Sequence, residues 1–286
     1  MRTIFALCSI LAFSGCAIII APDGNDARFE TAWSNNAIKG NGEVMTDKRQ
    51  VNGVAGLSVS GPLQVEVRIG SAPSLEISAD SNLLNLVQTQ VDGATQRIWI
   101  DEKISSNNPI RVVYTVPTLN DLNTNGSGRL SVVGLNGGNI QVRNNGSRSI
   151  TLDGRVASLN LLNSGSGSIN ALGLNSADVN VNLQGSGSLN LGPVNGNELR
   201  VSVNGSGSAN ASGNVRQLIV STHGSGSAQL SAVKSLNADL SSHGSGSVSA
   251  SVSQSVVAQT NGSGSVNIYG NPVQRNVNGR RVNFIY

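Results

Sequence analysis

The dipeptide Gly-Ser recurs along this chain with its first glycine at Gly126, Gly146, Gly165, Gly185, Gly205, Gly224, Gly244 and Gly262, a spacing of 18 to 20 residues kept through eight copies. Seven copies continue as Gly-Ser-Gly, and the second reads Gly146-Ser147-Arg148. A repeat this short is one supersecondary unit. It has too little chain to enclose its own apolar face, and it must bury that face against copies of itself.

Aligning the copies shows what the unit is. Four residues after the first glycine stand Leu130, Ile150, Ile169, Leu189, Ala209, Ala228, Val248 and Val266. Two further on stand Val132, Leu152, Ala171, Leu191, Ala211, Leu230, Ala250 and Ile268. Between them lie Ser131, Thr151, Asn170, Asn190, Asn210, Gln229, Ser249 and Asn267. Apolar and polar positions alternate with period two, the pattern of a strand with one buried face. A second strand precedes the glycine from the second copy on. Ile140, Leu159, Val179, Leu199, Leu218, Ala238 and Val256 stand six residues before it, and Val142, Leu161, Val181, Val201, Val220, Leu240 and Ala258 four before it.

Burying about four such side chains does not offset the entropy of ordering the unit that carries them. Stacked units that share a core, and pair each strand with the units above and below, escape that limit. The chain is therefore expected to be all-β: a parallel β-helix, or β-solenoid, of about 20 residues per coil with ~4.8 Å between coils. The crossover preference makes it right-handed. Glycine fits a tight corner repeated on every coil. The polar column before it (Asn125, Asn145, Ser164, Gln184, Asn204, His223, His243, Asn261) is placed to hydrogen-bond from coil to coil, as is the serine column from Ser127 to Ser263. The outward column Asn170, Asn190, Asn210, Gln229 and Asn267 is the candidate binding face.

Residues 38–118 are strand-like but less regular, with Leu63, Val65, Val67 and Ile69, then Ile98 and Ile100, then Val112, Tyr114 and Val116 in alternation. They are expected to form an N-terminal β portion or cap, 119–270 the repeat solenoid, and 271–286 a C-terminal tail or cap long enough for one strand.

Several stretches carry a family resemblance: Arg49-Gln50-Val51-Asn52-Gly53, Leu57-Ser58-Val59-Ser60-Gly61, Leu63 to Ile69 with Gly70, Leu75-Glu76-Ile77, and Asn82-Leu83-Leu84 to Asp92-Gly93. The most telling is Val116-Pro117-Thr118-Leu119 leading into Gly126-Ser127-Gly128. Over roughly residues 38–270 the chain resembles the bacterial family called putative autotransporter adhesin, head GIN domain. The resemblance implies a β-solenoid exposed in the cell envelope, with an adhesive or scaffolding role and no assigned catalytic residues. An autotransporter also needs a membrane barrel of strands about 9–11 residues long. Residues 271–286 do not supply one, so the anchor is sought at the other end.

There, Met1-Arg2 is followed by the apolar run Thr3 to Phe13, too short to span a bilayer as a helix, and by the small residues Ser14-Gly15. Ala12-Phe13-Ser14-Gly15-Cys16 resembles the lipobox of bacterial lipoproteins, with Phe13 where leucine is usual. The resemblance implies a signal peptide over 1–15, cleavage before Cys16, acylation of its thiol and new amine, and a lipidated tether over 16–37. Ala17 after the cysteine, rather than Asp, points to the outer membrane, with the periplasmic or outer side left open. The alternative is an ordinary signal peptide cut elsewhere, with Cys16 incidental. Cys8 and Cys16 are the only cysteines, so the mature chain is expected to have no disulfide. Trp33 is expected to pack on the first coil.

The net charge of +3 comes without any Lys/Arg run, which argues against a nucleic-acid partner. An enzyme on a β-helix needs paired carboxylates. The repeat acids Asp153, Asp178, Glu198 and Asp239 read as lying at different repeat positions, with Asp153 beside Arg155 a surface pair. The repeats lack the aspartates of calcium-binding nonapeptides, and no metal or cofactor is expected. His223 and His243 share one column in adjacent coils, about 5 Å apart, and two ligands make a poor metal site. The expected function is a non-catalytic envelope lipoprotein. Its partners would be the membrane, through its lipid, and a glycan or envelope protein. The alternative is a periplasmic self-assembling scaffold or spacer, and a more distant one is a carbohydrate-active β-helix enzyme. Oligomeric state is left open.

Overall fold

The alternating stretches before the repeats become β1 (Ile38–Lys39), β2 (Val44–Arg49), β3 (Gly56–Ser60), β4 (Leu63–Ile69), β5 (Ser74–Asp80), β6 (Gln88–Asp92), β7 (Thr95–Trp99), β8 (Ile104–Ser105) and β9 (Arg111–Val116) in the computed structural model, which describes residues 37–286. β3 and β4 meet at Gly61 and bury Leu57, Val59, Leu63, Val65 and Val67. They form a coil of the same kind as the repeats. β7 and β9 form another, burying Ile98, Val112, Tyr114 and Val116.

These two coils do not stack in chain order. β7 and β9 pair in parallel with β3 and β4. The other edges of β3 and β4 pair with β10 (Asp121–Gly126) and β11 (Gly128–Asn136). The coil that comes later in sequence therefore lies outside the earlier one, and the chain crosses back to begin the repeats. The outermost layer runs antiparallel: β5 against β9, β2 against β5, and β6 against β7. β5 contributes buried Leu75, Ile77 and Ala79, and the turn after it adds Leu83 and Val87. Residues 38–118 thus supply two coils of the solenoid and the layer that closes its N-terminal end.

From β10 on, coils follow chain order through β12 (Asn139–Gly146), β13 (Ser149–Gly165), β14 (Ser168–Gly185), β15 (Ser188–Gly205), β16 (Ser208–Gly224), β17 (Ser227–Gly244), β18 (Ser247–Gly262) and β19 (Ser265–Tyr269). Each pairs in parallel with the next, corner glycine beside corner glycine. All four apolar columns found by alignment are buried. The tail forms two strands rather than one. β20 (Gln274–Asn278) pairs with β18 and β21 (Val282–Ile285) with β19, making a last coil.

The first glycine of every corner has φ between +97° and +134°, a region that L side chains avoid. At five corners, Gly146, Gly165, Gly185, Gly205 and Gly224, its carbonyl accepts the two amides that follow the corner of the next coil. Ser166 and Gly167 donate to Gly146 at 3.1 and 3.0 Å, and Ser186 and Gly187 to Gly165 at 3.1 and 3.0 Å. The coil-to-coil ladder in the serine column is thus made by backbone amides. A Cβ on Gly205 would sit 2.6 Å from the carbonyl oxygen of Gly185, and one on Gly207 2.6 Å from that of Gly187.

A further inward column, not visible in the alignment, lines the bend that returns the chain to its second strand. Leu135, Leu174, Val194 and Val233 occupy it nine residues after the first glycine of 20-residue coils. Two coils, 147–165 and 206–224, are one residue shorter. There the bend carries Gly154 (φ +123°) and Gly213 (φ +128°), paired with Leu135 and Leu174 and with Val194 and Val233, and the core is filled two residues later by Val156 and Val215. A glycine at positive φ absorbs each missing residue without moving the corners out of register.

Two predictions follow from this packing. Gly205→Ala combines a disfavoured φ with backbone overlap and should lower stability by about 2–4 kcal/mol, against under about 0.5 kcal/mol for Ser186→Ala at an exposed neighbouring position; urea titrations compare them. Tyr114 is fully buried, its hydroxyl donates to the Val54 carbonyl at 3.2 Å, and burial pushes its phenol up from 10.0 to about 12. The unfolded chain loses that proton first. This contribution is therefore whole below pH 10 and disappears as pH rises through 12. The loss should be on the order of 2–3 kcal/mol, measurable by denaturation at stepped pH and flattened in Tyr114→Phe.

Candidate binding face

The strands that follow each corner line one face of the solenoid, and their outward residues form two columns. One is Ser149, Ser168, Ser188, Ser208, Ser227, Ser247 and Ser265. The other is Thr151, Asn170, Asn190, Asn210, Gln229, Ser249 and Asn267. The five residues expected from sequence to form a face are therefore brought into a single line. Asn170, Asn210 and Gln229 are exposed, while Asn190 and Asn267 are half-buried. Neighbours link directly: Asn210 Nδ2 donates to Asn190 Oδ1 at 2.9 Å, and Asn283 Nδ2 to Asn267 Oδ1 at 3.0 Å. The hydroxyls of Ser149 and Ser168 lie 3.1 Å apart, and Asn170 Oδ1 accepts the Leu172 amide at 3.1 Å. From Ser149 to Asn267 neither column carries a charge. Cys16, the leader and Trp33 lie outside the described residues.

Toward the N-terminal end the same columns continue, as Arg111, Gln64 and Arg129 in one and Val113, Glu66 and Ser131 in the other. A groove of about 300 Å³ lies over them. Sequence alignment of the repeats reaches Ser131 but misses the rest of this part of the face, because β4 and β9 come from outside the repeats and stack out of order.

The strongest side-chain ladder is internal. It stands two residues before the corner glycine, not one. Thr124 Oγ1 donates to Asn144 Oδ1 at 2.6 Å, and Asn144 Nδ2 to Asn163 Oδ1 at 2.9 Å and to the Arg148 carbonyl at 3.2 Å. Asn163 Nδ2 donates to the Gly167 carbonyl at 2.8 Å. All three residues are buried, and the same column continues as Leu183 and Val203, then Thr222 and Ser242. From coil to coil, the column beside the glycine makes only long hydrogen bonds among the described residues: Ser164 to Gln184, and Asn204 to Asn182 outside the column, both at 3.4 Å. His223 and His243 do fall in register there, stacked at 4.9 Å with 3° between their planes, each Nδ1 facing its own Ser221 or Ser241 hydroxyl.

Arg148, which replaces the second glycine of its corner, is fully buried. Its guanidinium donates to the carbonyls of Leu63 at 2.7 Å and Gly61 at 2.6 Å, and so ties the repeats to the out-of-order coil beneath them. Burial pushes it down to about 10, which leaves it charged at neutral pH.

The repeat acids do not all lie at different positions, contrary to the sequence expectation. Asp178 and Glu198 both stand seven residues before their corner glycine, on adjacent coils, beside the paired Val179 and Leu199. Both are engaged. Asp178 Oδ1 accepts the amides of Asn197 and Glu198 at 2.7 and 3.0 Å where the ladder is interrupted, and Glu198 pairs with Arg200 at 3.2 Å. Asp153 and Arg155 form no ion pair among the described residues, whereas Asp121 and Arg143 do, at 3.1 Å. Among the described residues no three His, Cys, Asp or Glu side chains gather as metal ligands.

Parallel coils of about 20 residues with stacked glycine corners, a closed N-terminal end and a polar outer face define a β-solenoid domain. The chain belongs to the family described as "Putative auto-transporter adhesin, head GIN domain", which matches residues 55–191 and 172–272. Its fold is shared by a putative lipid binding protein from Parabacteroides distasonis ATCC 8503, at 22% identity and TM-score 0.62 over 87% of this chain and 100% of that one. A putative adhesin from Parabacteroides merdae ATCC 43184 gives 19% and 0.58 over 87% and 99%, and a second P. distasonis putative adhesin 17% and 0.60 over 87% and 100%. No curated protein matches the chain by sequence.

The two ladders should respond differently to truncation. Asn210→Ala removes an exposed amide bond and should change stability by less than about 0.5 kcal/mol. Asn144→Ala leaves buried groups unpaired and should cost about 1–3 kcal/mol. Thermal unfolding of both variants checks this, and Asn210→Ala becomes a surface probe that leaves the fold intact.

Proposed function

We propose that this chain is a non-catalytic envelope lipoprotein, anchored by lipid on Cys16, whose solenoid binds glycans or envelope partners along its polar face. The observation that carries this reading is the pair of outward columns, uncharged and in register from Ser149 to Asn267, in which hydroxyls and amides repeat at the coil spacing. Such a lattice offers many weak, aligned hydrogen bonds, the kind of surface that recognises an extended polymer carrying hydroxyls of its own. The two repeat carboxylates that share a position are both engaged, Asp178 by backbone amides and Glu198 by Arg200, which supports binding over acid–base chemistry. The family description, with adhesin in its wording, points the same way.

A glycan-array screen with the purified chain, repeated with Asn190→Ala/Asn210→Ala, tests the face. Binding that falls at least tenfold in the variant is expected, and an absence of any glycan or envelope partner would remove the adhesive reading. Palmitate labelling and membrane fractionation test the anchor: Cys16→Ala should lose label and leave the membrane fraction. Protease treatment of intact cells carrying a tag after Tyr286 then reports the side. Digestion places the solenoid outside, and survival until the outer membrane is broken places it in the periplasm.

A second reading, self-assembly, has an observation of its own. Among the described residues β20 and β21 each pair on one side only, and Val273, Val277, Ile285 and Tyr286 are exposed around that end. Arg275 opposes it. It occupies an inward position opposite Val256 with its guanidinium 4.3 Å over the Phe284 ring, and a charge in a terminal inward site discourages edge-to-edge pairing. Light scattering that shows monomer at high concentration would dispose of self-assembly.

A further inference from the structure

We infer that the N-terminal end of the polar face is a subsite for an acidic linear polysaccharide, one that carries a carboxylate or sulfate on alternate sugars. The inference rests on the proposed use of that face for glycans and adds where charge is read. Arg111 and Arg129 stand in one outward column with Gln64 between them, two coils apart. Two coil spacings amount to roughly 10 Å, about the reach of a disaccharide. Both arginines are exposed, and neither forms an ion pair among the described residues. Two acids stand beside Val113 in the adjoining column, and each is already engaged by another cation: Glu66, which lines the groove, by Arg68 at 2.6 Å, and Glu76 by Lys48 at 3.1 Å.

The groove between them has the form of a site rather than a bare patch. Its volume is about 300 Å³, with Val65, Val112 and Leu130 beneath and Gln64, Ser131 and Thr151 offering hydrogen-bonding groups at its sides. A guanidinium presents a planar fork to a carboxylate or sulfate and binds it with two parallel hydrogen bonds. A polymer lying along the solenoid axis would meet charge at Arg111, an amide at Gln64 and charge again at Arg129. It would then meet only neutral groups, from Ser149 and Thr151 through Ser168 and Asn170 onward. That order favours an acid on every second sugar. An acid on every sugar would set a carboxylate against Gln64 without a cation.

The test compares three probes on the purified chain by calorimetry: hyaluronan oligosaccharides, with alternate carboxylates; oligogalacturonate, with a carboxylate on every sugar; and neutral chito-oligosaccharides. The expected order has hyaluronan tightest, at least tenfold over the neutral probe, with that advantage shrinking as salt rises and gone in Arg111→Gln/Arg129→Gln. Neutral binding should stay at the wild-type level in that variant, which also shows that it is folded. Gln64→Arg should move the preference toward oligogalacturonate. If hyaluronan and neutral probes bind alike, and the arginine variant changes neither, the subsite is overturned while the glycan face stands. If none of the three binds, the subsite and the glycan face fall together.

Discussion

Two backbones can stack at a corner only where no Cβ stands between them, and this one exclusion organises the solenoid. The carbonyl of one corner glycine receives the amides of the next coil, and the 2.6 Å that separates a hypothetical Cβ at Gly185 or Gly205 from the carbonyl below leaves no room for a side chain. Once the corners are fixed atop one another, every other position is fixed as well. Inward residues fall on inward residues, and the outward serines and asparagines fall into lines. The flatness of the face is a by-product of the corner. The two 19-residue coils keep the same register as their neighbours because the missing residue is taken up at the return bend, at Gly154 and Gly213.

The interior is less uniform than a hydrocarbon stack. The column beside the corner changes from Thr124, Asn144 and Asn163 to Leu183 and Val203 and back to Thr222 and Ser242. Each amide in its first part donates to a carbonyl just past the corner of its own coil, at Arg148 or Gly167, as well as reaching its neighbour. The amides therefore satisfy the turn from inside, where water does not reach. The polar part of the column adjoins Arg148, whose two carbonyl acceptors belong to the coil that stacks out of sequence. A guanidinium is long enough to span the Gly128 coil between them, where a side chain on the corner has no space. These buried polar groups specify which coil lies next to which, a task that interchangeable valines and leucines perform poorly.

Much of this was legible in the chain. Gly-Ser spacing gave the coil length, and period-two alternation identified the four inward columns and the outward line Asn170, Asn190, Asn210, Gln229 and Asn267. What escaped has physical reasons. The return-bend column is hidden because its members shift by one position between 19- and 20-residue coils, so a fixed offset from the glycine scatters them. The internal ladder is hidden because Thr124, Asn144 and Asn163 share a position with Leu183 and Val203, and mixed polarity masks burial. Asp178 and Glu198 share an offset that alignment from the glycine could have revealed. The order of the first coils has no local signal at all. Nothing in 56–69 or 95–116 says which is outer; the pairing of both with neighbours far along the chain decides it. The arginines at the head of the face are lost for the same reason, since Arg111 and Arg129 become neighbours only through β4.

The antiparallel closure at the beginning of the solenoid has a consequence for how proteins of this design can vary. The reversed strands, the out-of-order stacking and the buried arginine are gathered toward the N-terminal end, and the later coils meet chiefly the coil before and the coil after. Gene duplication or loss of one coil would therefore lengthen or shorten the rod by a step of ~4.8 Å and leave the chemistry of its head untouched. Length becomes a heritable quantity separate from the irregular layers at the N-terminal end. A lineage could tune how far the last coil stands from those layers by counting coils, with no compensating change elsewhere in the fold.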